Sequence, residues 1–172
     1  MDSLRPIATS RLTIRPFTLD DAAFIVELVN DPDWLRFIGD KAVASEEDAR
    51  CYLTNGPLAM YQRHGFGLCA VERTNDRSTI GMCGLIRRAG LEEVDIGYAF
   101  LPRGRGQGFA IEAAEAMLDH GLATIGLRRI VAITDPDNAA STRVLEAIGL
   151  RFERHLRLSE GTKQVALYAM NR

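Results

Sequence analysis

Near the middle of this chain a strand, a glycine-rich turn and a helix follow one another without a break. Residues 92–108 read E-E-V-D-I-G-Y-A-F-L-P-R-G-R-G-Q-G, and a long helical pattern begins at Phe109 or Ala110. That order aims the free N–H groups of a helix start, and the positive end of its dipole, at an anion over the turn. Gly104, Gly106 and Gly108 carry no Cβ, so a phosphate can approach the main chain closely. Spacing narrows the choice of anion. A dinucleotide fingerprint needs G-x-G-x-x-G, and the third glycine is missing; a P-loop needs Lys and Ser or Thr after its last glycine, and Phe109-Ala110 stand there. What fits is R-x-x-G-x-G, from Arg103 through Gly106 to Gly108. By itself this pattern suits either a phosphate site or the plain end of a strand.

The remaining chain reads as one domain, 1–172, with no repeat, low-complexity linker or shift in composition to divide it. Lys and Arg number 21 against 23 Asp and Glu, with no concentrated basic stripe, which argues against a nucleic-acid partner. The start lacks a basic-then-apolar signal, and no apolar run approaches the ~18 residues of a membrane span. A cytoplasmic protein without membrane contact is the expectation. Cys51, Cys69 and Cys83 are odd in number and widely spaced, so they are read as reduced, mostly buried thiols. His64, His120 and His155 are scattered among loop, helix and strand, and no metal is expected.

Residues 1–10 read as a loose leader, and alternation from Arg11 to Pro16 as the first strand. Thr18-Leu-Asp-Asp21 caps a helix that Asn30-Asp-Pro32 stops. Trp34, Leu35, Phe37 and Ile38 then fall in a loop closed by Gly39-Asp40, where crowded aromatics more often plug a core than touch a ligand. A second helix starts at Ser45 and is interrupted at Asn55-Gly-Pro57. Strands follow from Phe66 to Glu72, Thr79 to Ile86 and Val94 to Leu101, the last placing Val94, Ile96, Tyr98 and Phe100 on one face and Asp95, Gly97 and Ala99 on the other. A helix from Phe109 to Ile125, a strand from Arg129 to Thr134, and a helix from Asn138 to Ile148 ended by Gly149 come next. Two strands, about 151–158 and 164–170, close the chain around a turn at Ser159-Glu-Gly161. This alternation predicts an α/β (α+β) mixed sheet flanked by helices.

Three stretches together resemble the GNAT N-acetyltransferase superfamily, and within it the RimJ/RimL type. They are Asp95-Ile-Gly-Tyr-Ala-Phe-Leu-Pro102, Arg103-Gly-Arg-Gly-Gln-Gly-Phe-Ala-Ile-Glu-Ala113, and Asn138-Ala-Ala-Ser-Thr-Arg-Val-Leu-Glu-Ala-Ile-Gly-Leu150. Arg11-Leu-Thr-Ile-Arg-Pro16 and Asn30-Asp-Pro32 look like the same group, so the resemblance covers nearly the whole chain. It implies a GNAT fold: one mostly antiparallel sheet of about seven strands, split by a V-shaped cleft and flanked by about four helices. Acetyl-CoA would enter between the strand ending at Phe100 and the strand at Ile130. Its pantetheine amides would pair with main-chain groups around Tyr98, Ala99 and Phe100, like a strand added to an edge. Backbone N–H groups from Arg105 through Gly106, Gln107, Gly108 and Phe109 to Ala110 would hold the pyrophosphate. Arg103 and Arg105 would add charge-assisted contacts to phosphate, or else belong to a solvated turn. Asn138 serves as a helix N-cap, as a contact to the pantetheine arm, or as both.

The implied activity is acetyl transfer from acetyl-CoA to a primary amine, a peptide N-terminus or a small molecule, by direct attack in a ternary complex. Such chemistry needs a group that takes the amine's proton and a donor for the leaving thiolate, and proximity supplies much of the rest. Asp95 stands at a position usually acidic in the family and would act through water, since its unperturbed pKa is about 3.9; a buried ion pair is the other reading. Glu92 and Glu93 read as exposed turn acids. Many members carry a Tyr seven residues after the Asn as general acid; here Leu145 stands there. Ser141 is the remaining hydroxyl able to approach the sulfur, or an exposed first-turn residue. Tyr168 reads as a core or edge aromatic. Trp34 and Phe37 either fill a core or line the acceptor's entrance, between loop 31–40 and turn 159–163. The missing Tyr leaves a second possibility open, an acyl-CoA-binding sensor or interaction module with weak catalysis. Related proteins are often dimers, which leaves a homodimer possible.

Overall fold

The computed structural model describes residues 4–172 of the chain. Eight strands make one mixed sheet in the order β1-β2-β3-β4-β5-β6-β8-β7. They are β1 (Ile7–Ala8), β2 (Leu12–Pro16), β3 (Leu68–Arg73), β4 (Thr79–Ile86), β5 (Asp95–Phe100), β6 (Arg129–Thr134), β7 (Arg151–Leu156) and β8 (Val165–Asn171). One strand exceeds the expected seven because part of the supposed leader is ordered: Ile7 pairs with Ile14 and Ala8 with Thr13. Residues 1–3 of that leader lie outside the described residues.

Helices cover both faces of the sheet. They are α1 (Ala22–Val29), α2 (Pro32–Phe37), α3 (Glu46–Leu53), α4 (Ala59–His64), α5 (Phe109–Asp119) and α6 (Ala139–Ala147). Asn30-Asp-Pro32 does more than stop α1. Asp31 caps a new helix by accepting from the Asp33 N–H at 3.1 Å, and Pro32 takes the first turn, where its missing N–H costs nothing. Trp34 and Phe37 therefore lie on α2 rather than in a loop. Nor does Asn55-Gly-Pro57 end the second helix. A π-helical turn, Thr54–Leu58, carries α3 into α4 with Pro57 inside it, the wider ring avoiding the contact Pro makes in an α-helix. A second π turn, His120–Ile125, follows α5 and ends at Gly126 with φ +81°.

Alternation sorts the core into two layers. On one face Val71, Leu85, Ile96 and Phe100 pack with Phe109, Ala113, Met117 and Leu118 of α5 and Leu145 of α6. On the other, Ala70, Met82 and Ala99 pack with Ile25 and Leu28 of α1, Trp34 of α2 and Leu53 of α3. Each such large side chain contributes about 1.5–3 kcal/mol by leaving water. Leu145, seven residues after Asn138, is fully buried in the first layer.

The sheet opens at its centre. β5 and β6 run parallel and share one register pair, Asp95 with Val131, closed by the Val131 N–H donating to the Val94 carbonyl at 3.0 Å. Arg129 clamps this closed end, reaching Glu93 at 3.0 Å and Glu153 at 2.6 Å. Beyond it the strands part, which is the expected V.

Candidate functional site

Parity along β5 decides which main-chain groups face the gap. The Val94 carbonyl points to β6, whereas the Leu101 N–H turns to the Ile80 carbonyl of β4 at 2.9 Å. Successive residues alternate, so the main-chain groups of Tyr98 and Phe100 face the gap, where no register partner on β6 follows. The Phe100 carbonyl is already taken, by Arg105 Nε at 2.9 Å. A cleft of about 210 Å³ occupies the opening. Tyr98, Ala99 and Phe100 form one wall, Asn138, Ser141 and Val144 of the α6 start another, and Trp34 and Phe37 of α2 the third. Ala110 and Arg105 close it toward the turn.

At the turn, a short 3₁₀ segment (Pro102–Gly104) precedes Gly106 with φ +72° and Gly108 with φ +79°, values that only glycine adopts without strain. Among the described residues, the main-chain N–H groups of six consecutive residues, Gly106 to Ile111, have no hydrogen-bond partner. The first amide expected to join them does not, because the Arg105 N–H donates to the Pro102 carbonyl at 3.1 Å. Six free amides at the start of an eleven-residue helix form a concentrated anion receptor. The open cleft and the free amides lie on one line of chain, and together they fit a thioester carried on a long phosphorylated arm.

Neither predicted arginine faces that receptor. Arg103 makes a two-pronged pair with Glu27 (2.5 and 3.0 Å) and also reaches the Thr79 carbonyl. Arg105 spans Asp31 at 2.6 Å and Asp33 at 2.9 Å, tying the turn to the N-terminus of α2. The acids that claim both guanidinium groups come from helices some 70 residues away in sequence, and nothing in the motif announces them.

Arg11 lies against the turn instead. It donates to the Gln107 carbonyl at 2.8 Å, pairs with Glu112 at 2.7 Å, and lies 4.4 Å over the Phe109 ring. A Cβ on Gly108 would stand 3.4 Å from its Nη2, a nitrogen with no partner among the described residues. Glu112 holds this arginine while accepting from Thr9 Oγ1 at 2.6 Å and from the Arg11 N–H at 2.9 Å. Partial burial raises the Glu112 carboxyl, and these hydrogen bonds more than reverse that, leaving it low and ionised. No spacing rule joins residue 11 to residue 108.

Ser141, in the first turn of α6, lines the cleft, and Asn138 caps the helix by accepting from the Ser141 N–H at 3.1 Å. Tyr98 Oη donates to the Ser141 carbonyl at 2.9 Å and stands 3.0 Å from Ser141 Oγ. Since Tyr98 has one proton and the carbonyl receives it, the Ser141 hydroxyl keeps its own proton for Tyr98 or for a group in the cleft. Burial pushes the Tyr98 phenol up, against a smaller lowering by Ser141, so it stays protonated.

Asp95 is not among the residues lining the cleft. It sits at the closed end of the V, 1% exposed, with Oδ2 accepting from Arg88 Nε at 3.0 Å and Oδ1 buried without a partner among the described residues. Burial pushes its carboxyl up, more than Arg88 draws it down. The site of the raised carboxylate is therefore beneath the cleft rather than on its wall. Glu93 is spent on Arg129. Of the cysteines, Cys69 and Cys83 are buried cross-strand neighbours, burial pushing the Cys69 thiol up to about 12, while Cys51 is exposed, against expectation. Tyr168 is buried and packs edge-on against Phe152. No described helix is long and apolar enough to cross a membrane.

Comparison with known proteins bears on this arrangement. Residues 11–151 match the model of the acetyltransferase (GNAT) domain family. The chain is 31% identical over 147 residues to the uncharacterized N-acetyltransferase YnaD of Bacillus subtilis, covering 86% of this chain and 83% of that protein. Among solved structures it is similar to a GNAT-family acetyltransferase from Bacillus anthracis, with TM-score 0.80, 28% identity, and 97% and 98% of the two chains covered. It also shares the fold of an acetyltransferase from Salmonella typhimurium that modifies the N-terminal serine of ribosomal protein L7/L12, with TM-score 0.81, 19% identity, and 98% and 99% covered.

Proposed function

The chain belongs to the GNAT acetyltransferase family, and from that premise we propose that it transfers an acetyl group from acetyl-CoA to a primary amine, with both bound at once. The acceptor class is a protein N-terminus or a small-molecule amine. The observation that carries this reading is the run of six amides, Gly106 to Ile111, without a partner among the described residues, beside an open strand edge at Tyr98. Acetyl-CoA supplies an activated acyl carbon and a thiolate leaving group. Amides 106–111 and Arg11 hold the diphosphate, and the main chain of Tyr98 and the Phe100 N–H orient the arm. Ser141, polarised by Tyr98, donates a hydrogen bond to the departing sulfur. Asp95 lies beneath the cleft rather than on its wall, so it takes the amine's proton only by way of water reaching its unpartnered Oδ1.

In the reaction the N–C bond forms as the C–S bond breaks. The ammonium gives up two protons in all, one to the base and one that ends on the thiol. A role in the cytoplasm, as a single domain spanning 1–172, goes with this reading. Calorimetry should detect acetyl-CoA binding, and a panel of peptides and small amines should include one that drives CoA thiol release. Binding without release on any amine would leave a sensor, and the absence of both would remove the proposal.

A further inference from the structure

Where β6 ends, Asp135 opens the turn that leads to the cleft wall. It lies four residues beyond Val131, as Ala99 lies four beyond Asp95, so the two stand opposite each other across the widening gap and by parity share a face. Its carbonyl accepts from the N–H of Asn138, a cleft residue, at 2.9 Å. Its carboxylate is 4% exposed. Oδ1 accepts from the Asp137 N–H at 2.9 Å, and Oδ2 accepts from Nζ of Lys163, in the turn between β7 and β8. Arg36 of α2, the helix that carries Trp34 and Phe37, also acts on this carboxylate. A primary ammonium of the protein itself thus occupies a fixed, buried anion that does not line the cleft but flanks it, opposite Ala99 in register and joined to Asn138, both of which do.

We propose that Asp135 is the receptor for the acceptor's ammonium group, and that Lys163 holds that place until the acceptor displaces it. The proposal rests on the acetyltransferase reading and specifies its acceptor as a cation on arrival. A buried carboxylate left alone is costly, so some cation must always sit on it. Lys163 suits a temporary occupant: its side chain is 68% exposed, on a flexible stem, and its head is chemically the same ammonium. Exchanging one ammonium for another leaves the desolvated anion paired throughout, and the cost reduces to freeing a surface lysine. Asp135 itself does not move, because the Asp137 N–H fixes its other oxygen. It is a binding and positioning residue, and deprotonation of the acceptor belongs to a later step.

The two members of the pair give opposite signs, which a merely structural ion pair would not. Peptides with N-terminal serine or alanine, and their N-acetylated forms, are titrated by calorimetry into protein saturated with CoA, where no turnover occurs. Wild-type protein is expected to prefer the free amine. Asp135→Asn should weaken that preference by about tenfold or more, as expected for loss of a charge-assisted hydrogen bond. Lys163→Gln should tighten free-amine binding severalfold and leave CoA binding unchanged. Weakening by both variants, or no preference for the free amine in wild type, overturns the proposal. Loss of CoA thiol release on every amine, with these binding signs intact, would instead count against the acetyltransferase reading.

Discussion

Asp95 carries a cost that its proposed role explains. Its Oδ1 is buried without a partner, an arrangement that costs about 1–3 kcal/mol when the group is charged or unmatched. Folding raises its pKa above the ordinary 3.8, so between that value and the folded one the native state binds more protons than the unfolded chain. Stability therefore falls as pH rises across that window. Asp95→Asn has no such decline. Urea unfolding should show the variant gaining on wild type as pH rises above about 4, by about 1–3 kcal/mol, while turnover drops about 100-fold and the acidic limb of its pH profile vanishes. An unchanged stability difference across pH would contradict the assignment. Arg11 gives a second residue-scale prediction. Arg11→Gln should raise KM for acetyl-CoA about tenfold with little effect on acetyl-pantetheine, which lacks the diphosphate; equal losses on both would make Arg11 a structural clamp only.

At the scale of elements, the turn between β5 and α5 works through conformation rather than side chains. A methyl on Gly106 meets nothing within 4 Å, so Gly106→Ala tests backbone strain without a clash. Holding alanine at φ +72° costs about 1–2 kcal/mol. Melting should show that loss, and acetyl-CoA should bind more weakly as the amides tilt. Binding unaltered in a destabilised variant would separate the loop's shape from its function. α2 matters in another way: Arg105 joins its capping Asp31 to the turn, so α2 and the glycine turn are mechanically linked. Replacing Asp31 by Ala should cost about 1 kcal/mol through the lost cap and raise KM for both substrates together. A change in one KM alone would argue against that linkage.

For the whole molecule, one register pair between β5 and β6 leaves the two halves of the sheet joined by little backbone pairing at the cleft. A ligand lying in the gap binds only the folded arrangement and should stabilise it by mass action. At about 100 times Kd the gain is about 2.7 kcal/mol, which for a domain of this size is about 5–10 °C in Tm. Acetyl-CoA should produce that shift in a thermal-denaturation assay, whereas ATP and NAD should not. Equal shifts from all three would mean a general anion site in place of a thioester cleft.

Much of this was legible in the chain itself, wherever a signal was local. Alternation placed β2 to β8 and the faces of β5, because a strand's period of two leaves no other register once one face is buried. R-x-x-G-x-G marked the turn whose amides stand free, Asn138 followed from helix-start chemistry, and Ser141 came from the family resemblance, Leu145 standing where many members carry a Tyr. The sequence was misread where a residue did two things at once, as Asp31-Pro32 both ends one helix and caps the next, and where a π turn absorbed a proline. What only the tertiary structure decided is who partners whom across long separations. Arg103 and Arg105 turned to Glu27, Asp31 and Asp33, Arg11 came to the loop, and Lys163 came to Asp135. Backbone preference is written in neighbouring residues, whereas a charge takes whichever opposite charge the packed layers bring within reach.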